Sequence, residues 1–141
     1  MKLAYDQAMI SESNGEVPVG AVYFDGNQVI AESGNVSIAN HDPTGHAEII
    51  VLRKAAKAKK NHRIGGTLVV TLEPCVMCMG AMIQARIETL IFGAFDPRSG
   101  AAGSAFDLSD SSDLNHKINV LGGVMENECK ALMQNFFKSR R

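Results

Sequence analysis

The stretch Thr67-Leu68-Val69-Val70-Thr71-Leu72-Glu73-Pro74-Cys75-Val76-Met77-Cys78 changes character halfway along, and that change decides how the whole chain is read. Thr67 to Leu72 is apolar and β-branched, the composition of a buried central strand. Pro74 then opens a helix running to about Arg86, since proline suits a first helical turn and little beyond it. Glu88 to Phe92 reads as the next strand. Strands alternating with helices build a layered α/β sheet covered on both faces.

The same alternation continues outward. On the N-terminal side, Leu3, Met9 and Ile10, with small Ala4 and Ala8 between them, suit a short amphipathic helix ending near Asn14-Gly15. Val17 to Phe24 and Gln28 to Ala31 read as two strands, and the Asp25-Gly26-Asn27 between them signals a hairpin. Gly34 to Gly45 is polar, carries Pro43 and reads as a loop. From about Thr44 to Lys60 the pattern is helical, with Ala47, Ile50, Val51 and Ala55 on one face and Gly65-Gly66 as the stop. On the C-terminal side, Ile118 to Leu121 is a short strand, and Gly122-Gly123 turns into a final helix from Val124 towards Arg140. No repeat, low-complexity tract or linker interrupts the chain, so residues 1–141 are expected to form a single domain.

Composition narrows the class. Of the 141 residues 45% are hydrophobic and 21% charged, ordinary for a globular protein. No apolar run approaches the roughly 20 residues needed to cross a bilayer. The net charge of −1 argues against a simple basic nucleic-acid-binding module, though not against an enzyme with one local basic groove. Three cysteines, two of them in a C-x-x-C pair, do not form an extracellular disulfide framework. With no signal-peptide pattern at Met1-Lys2-Leu3-Ala4-Tyr5-Asp6, the expected compartment is the cytoplasm.

The chemistry falls at two helix starts, His46-Ala47-Glu48 and Pro74-Cys75-Val76-Met77-Cys78. Cysteines three apart share one face of a first helical turn, so Cys75 and Cys78 can reach one metal. The unpaired N–H groups of a helix N-terminus favour thiolate over thiol. His46 supplies a third ligand, and three protein ligands with an open position mark a catalytic zinc site rather than a structural one. Zinc lowers the pKa of a water in that position to about 7. Glu48, two residues from His46, can face that water as general acid and base. The pattern H-x-E…P-C-x-x-C is the signature of zinc nucleobase deaminases. A structural zinc site would leave Glu48 without purpose, and a thioredoxin-like dithiol would leave His46 and Glu48 without one.

The stretches Asp42 to Glu48 and Thr71 to Met82 resemble the bacterial tRNA-specific adenosine deaminases. So do Glu16 to Val22, Gly100-Ala101-Ala102-Gly103-Ser104, Asn115-His116, Glu128-Cys129 and Phe136-Phe137. The two zinc stretches alone also fit other deaminases, guanine deaminases among them, and the later segments favour the tRNA branch. The resemblance implies a three-layer α/β/α cytidine-deaminase-like fold with a central mixed five-stranded sheet. It implies conversion of adenosine to inosine at the wobble position of a tRNA anticodon, with one zinc per subunit and the protein a homodimer. By position, Asn35 matches a residue that holds the target nucleoside, and Val17 and Val19 match pocket-lining residues. Asp96 falls where a substrate-facing loop contacts RNA, and Phe137 where the last helix approaches the bases. Gly34, His41 and Gly45 depart from residues frequent in relatives, and helix one begins late; none of these touches the zinc residues.

Other features have plainer readings. Cys129 reads as a core residue, Met77, Met79 and Met82 as core filler, and His41 and His62 as loop or surface residues. The acid-free basic run of Arg53, Lys54, Lys57, Lys59, Lys60 and Arg63 reads equally as a solvated helix face or, with Lys138, Arg140 and Arg141, as a phosphate-tracking surface. The alternative function is zinc-dependent deamination of a free base or nucleoside of guanine or cytosine type.

Overall fold

The computed structural model describes residues 1–141 in the order α1 (Lys2–Ser13), β1 (Gly20–Asp25), β2 (Gln28–Gly34), α2 (Ala47–Lys59), β3 (Thr67–Leu72), α3 (Val76–Ala85), β4 (Thr89–Ala94), β5 (Asn119–Leu121) and α4 (Glu126–Lys138). The strands form one sheet in the order β2-β1-β3-β4-β5. β1 runs antiparallel to both β2 and β3, whereas β3, β4 and β5 are parallel, so the sheet is mixed. A parallel neighbour requires a crossover, and α3 supplies it between β3 and β4.

Because side chains alternate along each strand, the two faces have different partners. Ala21, Tyr23, Leu68, Val70, Leu90 and Phe92 pack against α2 and α3, through Val51, Leu52 and Ala55 and through Met79, Met82 and Ile83. On the opposite face Val22 and Val69 meet Ala4 of α1, and Gly93 lies under Cys129 of α4. The result is the three-layer α/β/α cytidine-deaminase-like arrangement around a mixed five-stranded sheet.

Several local expectations change. The buried residues of α1 are Ala4, Ala8 and Ser11, while Leu3, Met9 and Ile10 are 44–51% exposed. The cause lies in the sheet, where a Cβ on Gly20 would strike the α1 backbone and one on Gly34 would strike Ser11. The helix therefore lies so close to the hairpin that only small side chains fit beneath it. β1 begins at Gly20 rather than Val17, since Pro18 has no N–H to give a ladder. α2 begins at Ala47, because Asp42 Oδ1 accepts from both Thr44 N and Thr44 Oγ1 and His46 stays extended as the N-cap. It stops at Lys60, which is left-handed (φ 53°), before the two glycines are reached. Met125, also left-handed at φ 56°, delays α4 to Glu126.

Candidate metal centre and substrate cavity

β3 ends at Leu72 and α3 begins four residues later, while α2 begins beside it, so two helix N-termini meet at the carboxyl end of the central strand. That is where ligands bind in open α/β sheets. Their first turns bring together three donor atoms from residues far apart in sequence. His46 Nδ1 lies 3.5 Å from Cys78 Sγ and 3.7 Å from Cys75 Sγ. All three donor atoms lie within 4.8 Å of one another. Tetrahedral zinc, with bonds near 2.0 Å to nitrogen and 2.3 Å to sulfur, places such ligands about 3.6 Å apart. The donor set therefore fits a zinc ion in both chemistry and spacing.

The protonation pattern of the group without metal points the same way. Hydrogen bonding from Cys78, and then from His46, holds the Cys75 thiol down to about 4. The same pairing with Cys75, reinforced by burial, pushes Cys78 up, and the bond to Cys75 raises His46. The metal-free cluster thus settles on one thiolate, with protons elsewhere that a cation would displace.

A cavity of about 260 Å³ opens onto this group, walled by Val17, Val19, Ile38 and Leu72 on its apolar side. Glu48 lines it from the first turn of α2, outside the three-donor cluster. Its residue is 4% exposed, and removal from water pushes its carboxyl up to about 7. Asn35 and Asp96 line the same cavity. Asn35 Nδ2 donates to Glu16 Oε2 at 3.4 Å. The Asp96 carboxylate accepts from Arg98 N, Ser99 N and Ser99 Oγ, so it caps its own turn at the cavity wall.

Cys78 is fully buried behind the wall as the deepest donor. Phe137 lies elsewhere, 47% exposed, in an adjoining groove with Arg98, Lys138, Arg140 and Arg141. The Asp96–Ser99 turn joins the two, because Asp96 and Ser99 face the cavity and Arg98 the groove. Phe136, beside Phe137, is buried with the Arg140 guanidinium over its ring. His116 Nε2 sits 2.7 Å from Ile87 O, a tie within the fold. Within the basic run, Arg53 meets Asp42, Lys54 meets Glu32 O and Lys59 meets Asp25, so half of it serves local structure.

Two residues without an expected role organise the loops around the cavity. Buried Glu16 accepts from Ala39 N at 2.7 Å and Ile38 N at 3.2 Å as well as from Asn35. Buried Glu73 does the same for the loop after β4, accepting from Asp96 N, Ala102 N, Ser104 N and Ser104 Oγ. Each lies within a stretch that carries the family resemblance, but the amides it binds come from distant segments, so no local spacing announces it.

A family model described as MafB19-like deaminase matches residues 1–141. A tRNA-specific adenosine deaminase of Haemophilus influenzae is 47% identical over 143 residues, covering 100% of this chain and 83% of that protein. One from Bacillus subtilis is 41% identical, covering 100% and 88%. A solved structure from a study of A-to-I editing by tRNA:A34 deaminases at the wobble position of transfer RNA superposes with a TM-score of 0.90. It is 41% identical, with 94% of this chain and 96% of that one covered. With the whole chain matched and its donor cluster and cavity at the expected strand end, the chain belongs to the deaminase family, in the branch of the bacterial tRNA-specific adenosine deaminases.

Proposed function

We propose that this chain hydrolyses adenosine to inosine at the wobble position of a tRNA anticodon, as the relatives' names and the wobble-editing structure indicate for those proteins. The observation that carries the chemistry is Glu48. It is a buried carboxyl lining a cavity that opens onto one nitrogen and two sulfur donors. His46, Cys75 and Cys78 would hold zinc, whose contribution when bound is a water acidic enough to attack at neutral pH.

Glu48 takes the proton of the attacking water and delivers it to the ring nitrogen next to C6. It then passes a second proton to the departing amine, so water is consumed, ammonia leaves and oxygen remains on C6. A carboxyl serves both halves of this exchange, accepting a proton as carboxylate and returning it as acid. Val17, Val19 and Leu72 exclude bulk water from the ring, and Asn35 offers its amide as a polar contact. The volume is below the roughly 300–1,000 Å³ of drug-sized ligand sites, which suits one base turned out of its stack. Asp96 contributes at the wall and Phe137 in the groove beyond it, where RNA flanking the target base would lie. The working form is a cytoplasmic homodimer, as the family resemblance implies.

Glu48→Ala should keep its zinc and its fold while inosine formation on an anticodon stem-loop falls by roughly 10²–10⁴-fold. Turnover within a few-fold of the unaltered protein would remove Glu48 from the mechanism.

A further inference from the structure

We propose that Glu73 is a positioning residue that sets the substrate-facing wall of the cavity by suspending the Asp96–Ser104 loop. This rests on the deaminase reading of the site and adds a determinant of substrate affinity to it. Glu73 follows β3 and precedes Cys75 by two residues, so it is anchored by the same backbone that carries a metal donor. Its own N–H donates to Ala94 O at 2.8 Å, which fixes it against the end of β4. Its Oε2 accepts from Asp96 N at 2.9 Å and from Ser104 Oγ; its Oε1 accepts from Ala102 N at 3.2 Å and Ser104 N at 3.0 Å. Ala101 N donates to Pro74 O at 2.7 Å, a fifth tie between the loop and this segment.

One buried carboxylate therefore holds both ends of a nine-residue excursion, residues 96–104, whose first turn faces the cavity through Asp96 and Ser99. The loop closes around the carboxylate at Gly100, where an added Cβ would strike Glu73 itself. Apart from the Ala101–Pro74 bond, the loop's other backbone bonds stay within residues 96–108. The loop's only ladder contact is the isolated bridge between Ala102 and Asp107, and the Asp96 side chain is spent on its own turn. Both Glu73 oxygens are occupied by the loop, so it does not act on the reacting atoms; it acts through where Asp96 and Ser99 stand.

Glu73→Gln tests this, because it keeps the shape and turns one acceptor oxygen into a donor that must face a backbone N–H or the Ser104 hydroxyl. In the zinc-loaded protein, KM for the anticodon stem-loop should rise about tenfold while kcat falls less than about threefold, the mark of lost binding rather than lost chemistry. Zinc content should stay full. Amide hydrogen exchange should quicken at Asp96, Ala102 and Ser104 and stay slow in β3. Gly100→Ala, which pushes on the carboxylate from the loop side, should give the same pair of changes and serves if the first variant does not fold. Unchanged exchange at the three amides, or a fall in kcat or zinc content with KM unmoved, would overturn the proposal. The exchange readout needs no substrate, so failure of the unaltered protein to convert the stem-loop would count against the function and leave the loop assignment standing on its own.

Discussion

Glu48 shows how one side chain joins stability to function. Burial moves its carboxyl from an ordinary 4.5 to about 7, so the folded, metal-free chain keeps a proton that the unfolded chain releases. The contribution of Glu48 to stability is then greatest below the unfolded value and declines as pH rises from about 4.5 through 7, by roughly 3 kcal/mol in all. Glu48→Gln cannot ionise, so the metal-free variant should overtake the unaltered protein in urea melts between about pH 5 and pH 8 and match its trend below; parallel pH profiles would contradict the burial argument. At the donor cluster, Cys75→Ala removes the sulfur that carries the thiolate, and full zinc in the purified variant would show that the cluster is not the metal site. These residues were readable in the sequence because a metal and its proton shuttle impose short spacings, His46 to Glu48 and Cys75 to Cys78. Glu16 and Glu73 were not, because what each binds is set by folding rather than by spacing.

At the level of elements, glycines fix how closely helices approach the sheet. Gly93 on β4 leaves room for Cys129 of α4, whose sulfur would stand 2.5 Å from an added Cβ, with Thr71 O at 2.7 Å. Gly93→Ala should therefore destabilise by about 1–3 kcal/mol, the usual cost of overpacking. Cys129→Ala in that background should recover part of the loss, a coupling that a double-mutant cycle on denaturation midpoints would measure. Strictly additive effects would mean that Cys129 is not the residue in the way. β3 and α3 were legible to within two residues because composition switches sharply at Glu73-Pro74. The buried face of α1 is not legible locally, because the reason for Ala4, Ala8 and Ser11 lies in Gly20 and Gly34, on other elements. The opening of β1 departs from its composition, because Val17 and Val19 have strand character but wall a cavity on either side of Pro18.

Across the molecule, layering sorts the positive charge. The basic run belongs to α2 and the loop after it, whereas Lys138 ends α4 in the opposite layer and Arg140 and Arg141 follow it. The C-terminal cluster shares a groove with Arg98, and the Arg98 turn also walls the cavity. Phosphates flanking a base held in that cavity would meet Arg98 and Lys138 before Lys57 and Lys60. Arg98→Glu with Lys138→Glu should raise KM for the stem-loop severalfold and flatten its dependence on salt. Lys57→Glu with Lys60→Glu should change it little, and the opposite ranking would move the RNA path to the other layer. No helix is long and apolar enough to cross a membrane. Zinc-assisted deamination of adenosine in RNA is tested by inosine formation by the zinc-loaded protein on an anticodon stem-loop with adenosine at the wobble position. Free adenine, adenosine, guanine and cytidine are assayed beside it. Conversion of the stem-loop and of none of the free compounds is expected; conversion of a free base or nucleoside with the stem-loop untouched would overturn the assignment.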